Sequence, residues 1–297
     1  VGSEMCIRDR SRTNNDRTTI TIAGSSTVYP LTLRLSHAMK STGAPVEFTI
    51  ANIGTGGGFR AFCTNRSVDV VNASRPITPK EEQACLASGR TPVPFQIGWD
   101  ALAIAVSKQN TFLESLTVEQ LEQIFSGTVT TWRDVDPRYP ADPISLFSPG
   151  TDSGTFDYFI EVVMAGDATR LAKTAITSED DDVLVRGIEQ NARAIGYFGY
   201  AYYQYNSDQL RVVPIRRSAT EQAVLPSVAT VTDRSYPFIR PLFLYSDTQT
   251  IREKELVGRF LDFYLENVNR YIRDVGYFPE EREQLLQLRV AITKLRT

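Results

Sequence analysis

An α/β fold in two lobes, with mixed and mainly parallel sheets, is the class this sequence predicts. Three observations carry it. Alternating β-branched runs and helix-spaced apolar runs follow one another along the chain. The step from strand to helix repeatedly passes through a short turn of Gly, Ser, Thr or Asn, as in residues 24–27, 52–58 and 149–155. A length of 297 residues is long for one hydrophobic core and comfortable for two.

Residues 1–17 (VGSEMCIRDRSRTNNDR) lack an initiating Met and any hydrophobic period. They are expected to be a disordered linker or a sequence-assembly scar outside the fold, with any secretory signal missing. Residues 18–23 (TTITIA) alternate and are β-branched, which predicts a strand. After Gly24, Ser25, Ser26 and Thr27, the spacing of Leu31, Leu35 and Met39 predicts a helix. Residues 46–50 read as a strand, and a helix is expected from Phe59 after the glycine-rich stretch 52–58. No Gly-Lys-Ser/Thr follows those glycines, so they do not form a P-loop; they let the backbone come close to something small. Residues 68–71 form a strand that ends in Asn72, Ala73, Ser74 and Arg75, and Pro79 opens the next helix. Arg75 precedes a proline and is therefore held extended at a strand end, a candidate guanidinium fork for an oxyanion.

The second set of elements begins with a strand over 101–106, a helix over 118–125 and Trp132 in a loop. The short apolar run 144–147 is broken by Pro149-Gly150. Thr151, Asp152, Ser153, Gly154 and Thr155 follow, and a helix carries Phe156, Phe159, Ile160 and Val163 on one face. A helix over 181–190, a strand over 194–197, a tyrosine-rich helix over 199–205 and a strand over 210–213 come next. Residues 214–237 read as irregular, 240–245 as a strand, and helices are expected from 251 to about 264 and over 280–295. Two crossings, near Ile97 and Phe238, would make lobe 1 from 18–97 plus 238–297 and lobe 2 from 98–237.

A helix that starts after a small-residue turn points unpaired N–H groups and hydroxyls at one spot, where its dipole favours negative charge. Ligands of open α/β sheets bind outside the carboxyl ends of the strands, which is where these turns fall. The turns therefore predict an oxyanion cradle. The formal charge of −3 argues against a nucleic-acid surface. No apolar run is long enough to cross a bilayer; residues 95–106 come closest and contain Asp100. Cys63 and Cys85 have no histidine near them, which argues against zinc, and no metal or cofactor is expected. A disulfide that places the protein outside the cytoplasm is favoured over two buried thiols. Asp152-Ser153-Gly154-Thr155 also spells an aspartic-protease loop, but Asp247-Thr248-Gln249, the nearest second loop, lacks the glycine. G-x-S-x-G is absent, and the single His37 is expected on a core-facing helix surface, which disfavours a serine hydrolase.

Four segments in order, GSSTVYP, IGTGGGF, DVVNASRP and PGTDSGTFDYF, together with AIGYFGYAYY, resemble the periplasmic phosphate-binding proteins of ABC transporters, a type II solute-binding family. The resemblance runs from about residue 18 to the C-terminus. It implies a monomeric, two-lobed, non-catalytic protein, peripheral to the membrane, that closes on inorganic phosphate and hands it to permease subunits. Carried over by position, the ligand set is Ser26, Thr27, Val28, Thr55, Gly56, Ser74, Arg75, Ser153, Gly154 and Thr155. Position 75 is Asp in the best-known members and Arg here, and the arginine those members carry near Pro149 is missing. Arg75 is thus the one guanidinium that the resemblance brings to the ligand. The acceptor for the phosphate proton must be another carboxylate, Asp100 first and Asp152 second. Related binders of sulfate, molybdate or tungstate are the alternative.

Overall fold

The computed structural model describes residues 18–151 and 153–296. Residues 1–17, and with them Cys6 and the expected linker, lie outside the described residues, as does Asp152. In chain order the elements begin β1 (Thr19–Gly24), α1 (Tyr29–Ser41), β2 (Glu47–Asn52), α2 (Gly54–Cys63), β3 (Val70–Ala73), α3 (Pro79–Ala87) and β4 (Pro92–Ser107). There follow β5 (Leu116–Thr117), α4 (Val118–Phe125), α5 (Trp132–Val135), β6 (Ser145–Pro149), α6 (Gly154–Val163), β7 (Ile176–Ser178) and α7 (Asp181–Glu189). The chain continues through β8 (Ala194–Gly199), α8 (Tyr200–Tyr205), β9 (Leu210–Val212), β10 (Ile215–Arg216), α9 (Val228–Thr232) and β11 (Ile239–Asp247). It closes with α10 (Thr248–Glu253), α11 (Glu255–Tyr271), β12 (Phe278–Pro279) and α12 (Arg282–Arg296).

The described chain divides into two compact units. Unit 1 holds the residues up to Trp99, Pro241–Val275 and those from Pro279 onward; unit 2 holds Asp100–Arg240 and Gly276–Phe278. In unit 1, β1 pairs in parallel with β2 on one side and β3 on the other, and β11 runs antiparallel to β3. Phe59, Phe62, Val71, Phe243 and Tyr245 are buried together as its core, with Cys63 and Cys85 beside them. In unit 2, β8 and β9 lie antiparallel to β4, while β6 pairs in parallel with β8 and β7. Phe159 stacks on Tyr197 at 3.8 Å and meets Phe125 edge-on at 4.8 Å, which fixes α6 against β8 and α4.

Five local expectations need correction. The glycine-rich stretch is already helical from Gly54, and at Gly58 it lies so close to β1 and β3 that a Cβ would sit 2.7 Å from Gly24 Cα and 2.9 Å from the Val71 side chain. Trp132 opens a short helix instead of lying in a loop; Thr131 and Asp134 form a capping box around it. Residues 214–237 contain β10 and α9, the latter capped by Ser227. The expected single helix after β11 is two, since Lys254 (φ −112°, ψ 82°) leaves helical geometry between α10 and α11. His37 is exposed, not core-facing, because α1 buries Leu31, Leu35 and Met39 on its other face. A further surprise is the return of residues 276–278 to unit 2. Gly276 has φ +91°, and a Cβ there would sit 2.1 Å from that of Ala201, while Phe278 stacks on Tyr200 at 5.1 Å.

Candidate functional site

In unit 1 the site grows from three neighbouring strand ends. Gly24 is in register with Asn52 of β2 and Asn72 of β3. Its φ of +141° and the 2.0 Å that would separate a Cβ from the Asn72 carbonyl admit only glycine. The Ser25 N–H donates to that carbonyl at 2.9 Å, and the Ile53 N–H donates to the Gly24 carbonyl at 3.1 Å. The turns leaving β1, β2 and β3 are thereby tied together. From the first, Thr27 and Val28 are buried and Ser26 is half-buried. α1 follows, the Val28 N–H donating to Ser25 Oγ at 3.4 Å, and α2 starts from Ile53 with no side-chain cap among the described residues. Helix starts of this kind leave backbone donors for another acceptor.

Thr55 and Ser74 meet across the second and third turns. The Thr55 Oγ1 accepts from the Ser74 N–H at 3.2 Å, and the two hydroxyls lie 3.2 Å apart. Gly56 borders Arg75, whose Nη2 would lie 3.7 Å from a Cβ at that position. A cavity of about 380 Å3 opens here, with Gly56, Arg60, Arg75, Lys80 and Glu81 in its wall. The Arg75 guanidinium is gripped by Glu81 through two parallel bonds, Nη1 to Oε2 at 2.9 Å and Nη2 to Oε1 at 2.8 Å. Glu81 is itself fixed by the capping box of α3, accepting from the Thr78 N–H and hydroxyl. Burial would push the Glu81 carboxyl up, but the bonds from Arg75 and Thr78 outweigh it and hold it below the ordinary value. A disulfide joins Cys63 of α2 to Cys85 of α3, so the helices that carry Gly56 and Glu81 are covalently linked.

In unit 2 the cradle turn leaves β6 and enters α6. Ser153 is the N-cap, its Oγ accepting from the Thr155 N–H at 3.2 Å. The Gly154 carbonyl accepts from Arg240 Nη2 at 3.0 Å. Arg240 also donates from Nε and Nη2 to Asp100 Oδ2, at 2.9 and 2.8 Å, and lies over the Tyr158 ring at 4.3 Å. Both members of the pair are about 5% exposed. Asp100 Oδ1 is buried and has no hydrogen-bond partner among the described residues. Burial pushes the Asp100 carboxyl above its ordinary value, and Arg240 offsets only part of that.

Thr55, Gly56, Ser74 and Arg75 are thus brought together in unit 1 on the same strand ends as Ser26, Thr27 and Val28. Ser153, Gly154 and Thr155 come together with Asp100 in unit 2. Arg240, which holds Asp100 and the Gly154 carbonyl, is not among the residues singled out from the sequence. Its signal was an arginine inside an apolar strand, RPLFLY, just as Asp100 sits inside GWDALAIAV. Two opposite charges in two buried strands point to a pair. Asp247, the other half of an aspartic-protease reading, caps α10 through Thr250 and lies 3.5 Å from Arg90. Among the described residues no group of three or more His, Cys, Asp or Glu could hold a metal ion, and no helix is long and apolar enough to cross a membrane.

Comparison with known proteins adds relatives along nearly the whole chain. A family profile described as a PBP superfamily domain matches residues 10–268. The protein SphX of Synechococcus elongatus is 38% identical over 268 residues, covering 89% of this chain and 78% of that protein. The phosphate-binding protein PstS of Staphylococcus saprophyticus is 35% identical over 254 residues, covering 86% of this chain and 78% of its own length. The crystal structure of a "possible phosphate binding protein" from Planctomyces limnophilus superposes with a TM-score of 0.84 at 35% identity, covering 94% of this chain and 99% of that one.

Proposed function

The chain belongs to the PBP superfamily, and from that premise we propose that it binds inorganic phosphate outside the cytoplasm and delivers it to the permease of an ABC-type importer, without catalysing a reaction. The observation that carries the proposal is the set of donors at the carboxyl ends of β1, β2 and β3, where Thr55 and Ser74 converge beside Arg75. The start of α6 offers a second such set at Ser153, Gly154 and Thr155. Hydroxyls, helix N-termini and a guanidinium suit a tetrahedral oxyanion, and relatives named for phosphate binding favour phosphate over the other oxyanions. The protein acts as a monomer, peripheral to the membrane.

At neutral pH phosphate keeps at least one proton and sulfate keeps none. A selective site therefore needs an acceptor that is anionic, so that it also repels the unprotonated ion. Asp100 is our first candidate, since Oδ2 is committed to Arg240 and Oδ1 remains to accept; Asp152 is the second. Calorimetric titration with phosphate, sulfate, molybdate and tungstate tests the reading. Phosphate should bind most tightly and should raise the melting temperature by mass action. A tighter fit to another anion moves the protein to that ligand. In Asp100→Asn the phosphate-to-sulfate preference should shrink; an unchanged ratio there with a collapse in Asp152→Asn reverses the assignment.

A further inference from the structure

A charge pair at a chain crossing reaches the backbone of the cradle turn. Asp100 is the residue at which β4 enters unit 2, immediately after Trp99, and Arg240 the residue at which β11 leaves it, immediately before Pro241. Both are buried, although ionised pairs are costly to bury, and replacing such pairs with apolar residues is often neutral or stabilising. Packing alone gives no reason for this pair. The contact that gives one is the bond from Arg240 Nη2 to the Gly154 carbonyl.

The peptide that links Gly154 to Thr155 is planar, so its C=O and N–H point in opposite directions as one rigid unit. Fixing the carbonyl oxygen fixes the direction of the Thr155 N–H, the first-turn donor of α6 that Ser153 Oγ accepts at 3.2 Å and that an anion at the helix start can share. Arg240 cannot drift while it does so. Its Nε and Nη2 are both held by Asp100 Oδ2, and its face is packed on Tyr158, the residue one helical turn after Gly154. The grip comes from a strand of the sheet and not from the loop itself, and rigid support of this kind keeps donors aimed where an anion sits.

We propose that Arg240, held by Asp100, is a positioning residue of the anion cradle: it orients the Gly154–Thr155 peptide so that the Thr155 N–H, which Ser153 Oγ accepts in the free protein, is already directed out of the helix start where a bound anion shares it. The proposal rests on the phosphate reading for its ligand, but the orientation is a property of the free protein and can be tested there. The test compares wild type, Arg240→Lys and the double variant Arg240→Gln with Asp100→Asn, which leaves no unpaired buried charge. Two readouts are taken: the amide resonance and hydrogen exchange of Thr155 without ligand, and phosphate affinity by calorimetry.

In the double variant Thr155 exchange should accelerate at least tenfold and its resonance should move, while the amide of Ile160, further along α6, stays as it was. Phosphate affinity should fall at least tenfold. Arg240→Lys should fall between the two, because one ammonium cannot hold Asp100 and reach Gly154 with the same fork. A folded double variant with an unchanged Thr155 amide, or with unchanged phosphate affinity, overturns the proposal. So does a loss of protection spread evenly along α6, which is the mark of a merely structural role. If the double variant does not fold, Arg240→Lys decides by the same two readouts. If wild type binds no phosphate, the functional reading fails, and the Thr155 amide alone still judges the positioning.

Discussion

Two arginine–carboxylate pairs stand beside the two donor sets, and they are opposite in almost every physical respect. In unit 1 Arg75 and Glu81 are 27% and 19% exposed, and the carboxyl is held below its ordinary value. In unit 2 Arg240 and Asp100 are each 5% exposed, and the carboxyl is pushed above it. The chemistry of the pairing is the same, so burial decides the difference. With water nearby, the bonds from Arg75 and Thr78 suffice to favour the Glu81 anion. With water excluded, desolvation exceeds what one guanidinium returns to Asp100. The first pair can be rearranged at small cost and suits a group that meets an incoming ligand. The second is fixed, and its arginine suits a group that holds other groups in place.

The sharpest way to break this comparison is to remove each arginine and measure stability. Arg240→Ala leaves Asp100 buried without its partner and should cost about 3–5 kcal/mol in urea unfolding. Arg75→Ala leaves Glu81 within reach of water and still bonded by Thr78, so it should cost under about 1 kcal/mol. Equal costs would mean that burial does not separate the pairs.

A second measurement asks what makes the exposed pair dependable. Glu81 and Cys85 share α3, and the disulfide ties that helix to α2, which carries Gly56. Replacing both cysteines by serine should lower stability by roughly 2–4 kcal/mol. It should also loosen phosphate binding more than Arg75→Ala alters stability. A Cys-free protein with wild-type stability would remove the disulfide from the account.

Why one pair was legible in the sequence and the other only half so follows from the same contrast. The strand-to-helix turns announce themselves locally: Gly24 through Thr27, Ser74-Arg75-Pro76 and Ser153-Gly154-Thr155 are contiguous, and turn chemistry depends on neighbours in sequence. Glu81 could have been found as well, since Thr78-Pro79-Lys80-Glu81 is a capping box whose carboxylate faces back toward Arg75. Arg240 and Asp100 are 140 positions apart, and only the pairing of distant strands brings them together. The same limit hid the return of residues 276–278 to unit 2, which rests on Ala201 and Tyr200, more than seventy positions upstream. The elements with strong periodicity, such as α4 and α7, match expectation closely, because an amphipathic face is a local signal.

Ligand affinity sharpens the comparison from the other side. If Arg75 is the adaptable member, Arg75→Ala should weaken phosphate binding by about 2 kcal/mol, close to thirtyfold, through loss of a charged contact to a desolvated dianion. Arg75→Lys should recover only part, because a point charge cannot make the two-pronged contact. Calorimetry against wild type reads both. Unchanged affinity in the Ala variant would remove Arg75 from the ligand set and leave its pairing with Glu81 purely structural.

The smallest expected effect is the most specific to the contrast, because it concerns sign. Stability changes with pH in proportion to the protons bound by the unfolded state minus those bound by the folded state. For Glu81 the folded-state value is depressed, so the unfolded chain binds more protons as acid is added. Its contribution is present above the ordinary carboxylate value and is lost as pH falls through the depressed one. For Asp100 the folded-state value is raised, so the folded protein binds the proton first. Its contribution is greatest in acid and declines as pH rises from the ordinary value through the raised one. Subtracting the stability profile of Glu81→Gln from wild type should therefore give a curve that rises with pH, and subtracting that of Asp100→Asn one that falls. The Glu81 curve should be shallow and should flatten in high salt, since the pair is partly exposed and screened. The Asp100 curve should keep its shape in salt. Two curves of the same sign would show that both carboxylates live in the same environment, and the division of labour between the pairs would fall with it.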